Sequence, residues 1–425
     1  MRIALVSPPM LPVPPPRYAG TERIVAVLAR ELHRRGHAVT VFAPGDSEVD
    51  CELVTTIPRG LWTSEYRSDL VPYMHITLSK VWAQRSRFDV IHSHLDGHGL
   101  LFARQSPVPV VSTLHGRLDV DGVPDLLSEF SDVPLVAISD SQRRWSPAAN
   151  WVATIYHGLP LAGMPFRAWP GSYLAFVGRT APEKGIEEAV RLARATGLRL
   201  RMAAKVLSPV ECAEFERVVK PAIADGVVEY LGELGPRERD EVYAGALATL
   251  MLGAWPEPFG LVAIESMATG TPVIARRAGA LPELIEHHVD GFVVDDTEEG
   301  VLAVERAGTL DRATIRGRAL SRFSVERMVD EYEVVYRRLA GTPEVGVRRA
   351  DADLLRVGGI TDAPRALGPG VDWRRVTDDV GTVRIAAERR DGRERRHEVG
   401  PRDVSPRETA AGGRPAVREV EPLSG

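Results

Sequence analysis

Short apolar runs alternate with amphipathic stretches over most of the chain, which predicts strands alternating with helices. Residues 2–7 form an apolar run typical of a buried strand, and a loop rich in proline and glycine follows at residues 8–20. Apolar residues then recur at helical spacing from Ile24 to Leu32, and residues 38–43 are the next apolar run. This β–α–β order favours a parallel sheet whose ligand crevice lies at the carboxyl ends of its strands.

The same pattern continues through both halves of the chain. Further strands are predicted at residues 89–94, 108–114, 135–141, 152–158, 173–178, 198–203, 227–231, 248–252 and 273–275. Helices are predicted from Ile186, over 240–248, from Leu261 and over 322–336, the last with Phe323, Met328, Tyr332 and Val335 on its buried face.

A break in the pattern divides the chain. Residues 159–171 contain three prolines and two glycines without periodicity, as a linker would. We therefore expect an α/β protein of two doubly wound, Rossmann-like domains, residues 1–160 and 161–322, with a crossing helix at residues 323–340. Residues 341–425 lack apolar periodicity and carry mixed charge, which predicts a largely disordered tail.

Composition narrows the functional class. The 425 residues are 44% hydrophobic and 26% charged, as in ordinary soluble proteins. A net charge of −5 argues against nucleic acid as a partner. The two cysteines form neither a disulfide framework nor a zinc site. Since no apolar run is long enough for a membrane span and the N-terminal run is too short for a signal peptide, we expect a cytoplasmic protein.

The most informative stretch is EPFGLVAIESMATGTPVIA, residues 257–275. Pro256 and Pro258 disfavour helix until Gly260 releases the backbone, and good helix formers follow. A tight loop thus places the free amides of a helix N-terminus, with about half a positive charge, next to Glu257. A second acid, Glu265, follows in the helix. Amides that bind phosphate beside acids that bind hydroxyl groups would suit a nucleotide-sugar.

Glu257 and Glu265, with seven residues between them, resemble the E-x7-E element of retaining glycosyltransferases of family 4. The spacing alone is common, and a loop before a buried helix with Glu265 solvated is the alternative; Pro-Phe-Gly and Gly-Thr-Pro-Val-Ile make the match more specific. The resemblance implies the GT-B fold, in which two Rossmann-like domains face a cleft. It also implies that Glu257 lies by the donor sugar and that Glu265 holds the ribose.

Two cations in the second half strengthen this resemblance. Arg179 and Lys184 bracket the turn that leads from the strand ending at Gly178 into the next helix. They resemble the pair that grips the donor diphosphate in family 4, although solvated surface charges are the alternative. Charge-assisted hydrogen bonds of this kind contribute roughly 1.5–3 kcal/mol each. The turn ending at Leu234 resembles the one that lies against the nucleotide base.

Two motifs in the first half also resemble the family. The sequence Tyr-Ala-Gly20-Thr-Glu matches a Gly-Gly loop that approaches the donor phosphate, except that Ala19 replaces the first glycine; a plain helix start is the alternative. His115 follows a predicted strand, where the family carries a histidine near the donor sugar; a structural histidine is the alternative. His92 and His94 alternate with apolar positions, and we interpret them as packing or supporting residues.

The resemblance implies a retaining hexosyltransferase that is metal-independent and needs no cofactor besides its nucleotide-sugar substrate. Asp119 and Asp121 match a D-x-D metal motif only by letters. The implied site residues are as follows: catalytic Glu257, His115, Arg179 and Lys184; donor-binding Gly20, Gly178, Leu234, Phe259, Gly260, Leu261, Val262 and Glu265.

Several alternatives stay open at this point. A nucleotide-sugar 2-epimerase of the same fold would need acid and base residues that we cannot identify. A non-catalytic nucleotide-sugar-binding protein would not need all four charged residues. The partners expected are a nucleotide-sugar donor and a hydroxyl acceptor. The predicted helix at residues 73–88 carries Lys80, Arg85 and Arg87 and suits weak peripheral contact with an anionic membrane, although a solvated face is favoured. The sequence leaves the oligomeric state open.

Overall fold

The structure is a computed structural model that describes residues 1–17, 19–62 and 69–341. The tail predicted to be disordered, residues 341–425, lies outside these residues apart from Gly341. The remainder contains two parallel sheets flanked by helices, which confirms the predicted α/β class and the two doubly wound sheets.

The first sheet has seven strands, paired in parallel in the order β3-β2-β1-β4-β5-β6-β7. They are β1 Arg2–Val6, β2 Ala38–Ala43, β3 Glu52–Thr55, β4 Val90–Ser93, β5 Val110–Thr113, β6 Leu135–Ala137 and β7 Trp151–Thr154. The strand order reverses between β1 and β4, where Ile3 is paired with Val39 on one side and Val90 on the other. Ligands of such sheets bind in the crevice at this reversal.

The second sheet has six parallel strands in the order β10-β9-β8-β11-β12-β13, with its own reversal between β8 and β11. They are β8 Leu174–Arg179, β9 Leu200–Lys205, β10 Val228–Tyr230, β11 Ala248–Met251, β12 Val273–Arg276 and β13 Gly291–Val294. The carboxyl ends of both sheets border one cleft.

The helices follow the β–α alternation. Those around the first sheet are α1 Thr21–Arg34, α2 Val71–Gln84, α3 Leu100–Gln105, α4 Val123–Glu129 and α5 Asp140–Arg143. Those of the second half are α6 Ile186–Thr196, α7 Pro209–Glu214, α8 Lys220–Ala224, α9 Pro236–Ala244, α10 Leu261–Ala268, α11 Leu281–Leu284, α12 Thr297–Ala307, α13 Arg312–Arg322 and α14 Val325–Leu339.

The boundaries of α9 differ from the prediction. The helix was predicted over residues 240–248 but spans Pro236–Ala244. Proline suits the first helical position, and the Gly235 N–H donates to Glu238 Oε2 at 2.9 Å, so the helix begins earlier. The last residues of the predicted helix instead lead into β11.

The helix predicted over residues 322–336 is α14, which spans Val325–Leu339 and so begins three residues later. α13 ends at Arg322, and Ser324 caps α14 by accepting a hydrogen bond from the Arg327 N–H at 3.3 Å. The predicted buried face of Phe323, Met328, Tyr332 and Val335 is confirmed, since each side chain is buried. α14 packs on the first sheet, where the Tyr332 hydroxyl lies 2.9 Å from Thr113 Oγ1.

Contacts across the cleft join the two sheets. The Glu283 carboxylate accepts hydrogen bonds from the backbone N–H groups of Asp140 and Ser141 at 2.9 and 2.5 Å. Ser139 Oγ donates to the backbone oxygen of Pro258 at 2.7 Å. The loop that precedes α10 belongs to the second half of the chain, yet residues beside the first sheet also anchor it.

The cations of α2 and the turn after it contact protein groups. Lys80 Nζ donates to the Thr55 backbone oxygen at 2.8 Å, Arg85 lies over the Trp82 ring, and Arg87 pairs with Glu52. Within the described ranges, no helix has both the length and the apolarity needed to cross a bilayer. Membrane contact therefore stays a prediction.

Candidate active site

A cavity of about 480 Å³ lies between the carboxyl ends of the two sheets, within the usual size of small-molecule sites. Ten of the twelve predicted site residues line it: Gly20, His115, Gly178, Arg179, Lys184, Glu257, Phe259, Gly260, Leu261 and Val262. Leu234 and Glu265 do not. The fold therefore brings most of the predicted set to one place.

Lys184 is held by a tight turn after β8. Gly185 has φ of +72°, and a Cβ added there would lie 2.4 Å from the backbone carbon of Leu252, so only glycine fits. This close approach presses the turn against the end of β11. Lys184 Nζ consequently lies 2.8 Å from Glu257 Oε2, which joins two predicted catalytic side chains in an ion pair.

Arg179, the last residue of β8, is also paired. Its guanidinium donates to the buried carboxylate of Glu211 and, at 3.2 Å, to Glu183 Oε1. Glu211 is fixed in turn because it accepts a hydrogen bond from the Leu207 N–H at 2.6 Å. The Arg179 side chain remains 39% exposed at the cavity, so a ligand can reach it.

Trp255 is a wall residue that sequence reasoning missed. Its indole Nε1–H donates to Glu257 Oε2 at 3.0 Å, and Lys184 Nζ lies 4.0 Å from the ring centroid. The ring therefore contacts both members of the ion pair. Trp255 lies in a loop without periodicity, so no pattern in the sequence marks it.

The N-terminus of α10 opens onto the cavity. Gly260 precedes the helix with φ of +116°, a conformation that favours glycine, and Leu261 and Val262 begin the helix at the cavity wall. Backbone N–H groups in a first helical turn lack partners within the helix. They can therefore donate to an anionic ligand.

Glu265 lies behind the wall, fully buried. Its Oε1 is 2.7 Å from Arg23 Nη2 and 3.2 Å from Arg239 Nη2, and the Tyr243 hydroxyl is 3.3 Å from Oε2. Arg23 belongs to α1 of the first half, so this ion pair links the two halves of the chain. The predicted ribose contact of Glu265 stays a prediction, because in this arrangement arginines surround the carboxylate.

Leu234 also lies away from the cavity. It packs with Tyr173 and Leu231 against a small cluster formed by Ala175, Val242 and Ala246. Its predicted contact with a nucleotide base stays untested.

The loop before α1 reaches the cavity, as the resemblance predicted. Ala19 and Gly20 both line the cavity, and a Cβ added at Gly20 would meet only Leu261 Cδ1, at the ordinary distance of 3.9 Å. No protein atom in the described structure therefore requires glycine at position 20, and the effect of Ala19 on the approach of a donor phosphate stays untested.

Lys205 is a third cation on the wall, and sequence reasoning missed it too. It is the last residue of β9, and burial lowers its pKa. Its Nζ lies 3.9 Å from Glu233 Oε1. The carboxyl-end rule that singled out Arg179 would have found Lys205 had the predicted strand ended two residues later. Nearby, burial raises the pKa of Glu22 to about 7.

Two histidines line the cavity from the side of the first sheet, where Arg117 is also a lining residue. His115 and His157 line the cavity with their rings stacked 5.2 Å apart, and His94 Nδ1 lies 2.8 Å from His115 Nε2. Burial lowers the pKa of His115 to about 4 and those of His94 and His157 well below the usual value. His92 bonds both Tyr336 and Thr113 at 2.7 Å, in keeping with a supporting role.

Asp119, the first acid of the D-x-D pattern, binds within the protein. Its carboxylate accepts a hydrogen bond from Arg117 Nε at 2.8 Å. The first acid of the D-x-D motif is therefore paired with Arg117 in this structure. The predicted absence of a catalytic metal is not tested by this contact.

Two family profiles match the chain. The one described as Glycosyltransferase Family 4 matches residues 18–159, and the one described as Glycosyl transferases group 1 matches residues 170–307. Together they span both halves and most of the described structure.

Individual proteins are similar over the same region. D-inositol 3-phosphate glycosyltransferase of Mycolicibacterium smegmatis is 26% identical over 387 residues, covering 76% of this chain and 86% of that protein. Phosphatidyl-myo-inositol mannosyltransferase of Mycobacterium leprae is 26% identical, covering 75% and 90%. The structure of Anabaena HepE in complex with UDP and glucose has a TM-score of 0.64 at 16% identity, covering 80% of this chain and all of that one.

Proposed function

The chain belongs to glycosyltransferase family 4 and has the GT-B fold, and from that premise we propose that it transfers a hexose from a nucleotide-sugar to an acceptor hydroxyl, with retention of configuration and without a metal ion. One observation carries the proposal. Arg179, Lys184 and the first turn of α10 converge on the same cavity wall as Glu257.

The cationic side of this wall suits a diphosphate. Arg179 and Lys184 are already held in position by carboxylates, and Leu261 and Val262, whose amides lack partners within the helix, line the same space. An incoming diphosphate would take over Lys184 from Glu257, since it carries more charge than one carboxylate. These donors would then stabilise the charge that develops on the leaving group, where preorganised donors contribute most to the rate.

Glu257 gains a second role in this exchange. Once Lys184 binds phosphate, the Glu257 carboxylate is available to accept hydrogen bonds from sugar hydroxyls, while the indole N–H of Trp255 keeps it oriented. The geometry therefore links donor binding to the orientation of the sugar.

Retention is expected from the resemblance to retaining enzymes of family 4, and the composition of the wall favours front-face transfer over a double displacement as its route. Among the residues that the structure describes, Glu257 is the one carboxylate lining the cavity, and it is engaged by Lys184 and Trp255. A double displacement would need Glu257 as the nucleophile, but once Lys184 binds phosphate this carboxylate would be occupied by the sugar hydroxyls and the Trp255 N–H. In front-face transfer the acceptor oxygen bonds to the anomeric carbon as the bond to phosphate breaks, and the acceptor proton passes to the departing phosphate oxygen.

Metal independence is supported by the same cations. Arg179, Lys184 and Lys205 lie around the space for the diphosphate and supply the positive charge that Mg²⁺ supplies in other nucleotide enzymes. Activity should therefore survive a chelator.

A donor panel tests the proposal. The protein is incubated with UDP-, GDP- and ADP-sugars, with and without candidate acceptors and with EDTA, and release of nucleoside diphosphate is followed. NMR of the product reports the anomeric configuration. Conversion of the sugar without an acceptor would indicate an epimerase, binding without turnover a sensor, and an inverted product would exclude the retaining mechanism.

A further inference from the structure

Two histidines at the ends of neighbouring strands share a hydrogen bond. His94 follows β4 and His115 follows β5, with His94 Nδ1 and His115 Nε2 2.8 Å apart. The backbone fixes both positions: the His94 N–H donates to Val6 O at 3.0 Å, and the His115 N–H donates to Asp96 Oδ1 at 2.6 Å. Because burial keeps both rings neutral, one nitrogen must donate and the other accept.

The remaining nitrogen of His94 decides which one donates. Within the described part of the chain, His94 Nε2 is buried and has no hydrogen-bond partner. If His115 were the donor, the single hydrogen of the His94 ring would lie on this nitrogen as a buried N–H without an acceptor. Orphaned N–H groups are rarer in proteins than acceptors short of a partner. His94 is therefore the donor, through Nδ1.

We propose that His94 is a positioning residue that holds His115 in the Nδ1–H tautomer, so that His115 offers the cavity a hydrogen-bond donor. His115 Nε2 is occupied as the acceptor from His94, which leaves Nδ1 as the ring nitrogen available to a ligand at the wall. The effect on sugar transfer rests on the proposed function; the tautomer itself does not.

This tautomer limits what His115 can do. A neutral ring that presents N–H can orient a sugar or acceptor oxygen, but it cannot take a proton from the acceptor hydroxyl. The base must then lie elsewhere, which fits proton transfer to the departing phosphate. In the opposite tautomer the bare nitrogen facing the cavity would be a candidate base.

The tautomer can be measured directly. The full chain, labelled with ¹⁵N-histidine and free of substrate, is examined by long-range ¹H–¹⁵N correlation, and the His115 signals are identified by their loss in His115→Asn. We expect the hydrogen on Nδ1. A hydrogen on Nε2 in the wild-type protein would overturn the proposal, whatever the fate of any variant.

Variants test the part played by His94. His94→Leu removes the donor, so His115 should populate both tautomers and kcat/KM should fall about tenfold, as for one lost hydrogen bond. His94→Asn places an amide N–H near the position of Nδ1 and should restore the tautomer and most of the activity. An unchanged His115 tautomer in folded His94→Leu would contradict the proposal.

His92→Asn is the matched control. His92 is equally buried on β4, but it bonds to Tyr336 and Thr113 and not to His115, so the His115 tautomer should stay as in the wild type. A shift as large as that in His94→Leu would contradict a specific role for His94. If no donor sugar were turned over even by the wild-type protein, the proposed function would fail while the tautomer assignment stood.

Discussion

The two walls of the cavity hold their polar groups by different means. On the second-sheet wall, Lys184 and Arg179 are charged and paired with Glu257 and Glu211. On the first-sheet wall, His94 and His157 are buried and His115 is partly buried, and desolvation lowers the pKa of each of these rings. The ion pairs can exchange partners when an anion arrives, whereas the histidines keep fixed hydrogen bonds.

This contrast matches the two kinds of group that a nucleotide-sugar presents. Phosphate needs positive charge that is positioned in advance, and Glu257 and Glu211 hold Lys184 and Arg179 in place. Sugar hydroxyls are neutral and need direction rather than charge. A division of labour between the walls follows, and each prediction below tests one side of it.

The largest effect is expected at the charged wall. Lys184→Ala should lower kcat by about 10²–10³, the usual cost of removing one preorganised donor to developing charge, with little change in melting temperature. Lys220→Ala is the matched control, because Lys220 is exposed and, among the residues that the structure describes, pairs only with Glu216 one helical turn away. Wild-type turnover by Lys184→Ala would exclude the phosphate role.

Glu257→Gln separates the effect of Glu257 on phosphate binding from its effect on catalysis. The carboxylate is paired with Lys184 and would compete with an incoming phosphate for it, so its removal should leave donor affinity equal or tighter. The sugar loses a charged acceptor, and kcat should fall about 100-fold. Isothermal titration with a nucleoside diphosphate and steady-state kinetics measure the two effects. Weaker binding of the diphosphate would show that Glu257 does not compete for Lys184.

The neutral wall predicts a dependence of stability on pH. Burial lowers the pKa of His115 to about 4, whereas the unfolded ring titrates near 6.5. Between these values the unfolded chain binds about one more proton at this residue, so its contribution to stability falls as the pH falls from 6.5 to 4. Within this range the equilibrium constant for unfolding rises about tenfold for each unit by which the pH falls.

Urea unfolding of the wild type and His115→Asn from pH 4 to 7 measures this term as a difference in slope. The comparison is needed because Glu22, whose pKa is raised to about 7, contributes with the opposite sign: its stabilisation is lost as the pH rises toward 7. Equal slopes in the two proteins would show that His115 is not held neutral by the fold.

The fold was predictable because its signals are local and repeated. Apolar runs gave the strands that form the core of both sheets, and the carboxyl-end rule placed Arg179 and His115 correctly at the cavity. The errors in the predicted helix bounds occur where a capping residue or a proline sets the start of a helix. Ser324 sets the start of α14 at Val325 instead of Arg322, and Pro236 moves the start of α9.

Site residues were predictable where a motif lies at the end of a strand, as at Arg179. Contacts between residues far apart in the sequence were not predictable. Arg23 and Glu265 lie 242 positions apart in the chain, and their contact exists only because the halves face each other. Trp255 and the His94–His115 pair likewise depend on how loops and strands are arranged in space. Periodicity reports which face of an element is buried, but not which side chain meets it from another element.

The smallest effect is expected at Trp255, where both kinds of interaction meet. Trp255→Phe keeps an aromatic ring under Lys184 but removes the N–H that orients Glu257, and the loss of one hydrogen bond should lower kcat two- to tenfold, or about 0.5–1.5 kcal/mol. Trp255→Leu also removes the ring, so the difference between the variants measures what the ring contributes to holding Lys184. If the lost N–H costs as much as Lys184→Ala, the orientation of Glu257 rather than the charge of Lys184 limits the rate. The charged wall would then depend on fixed hydrogen bonds as the neutral one does, and the contrast between the walls would fail.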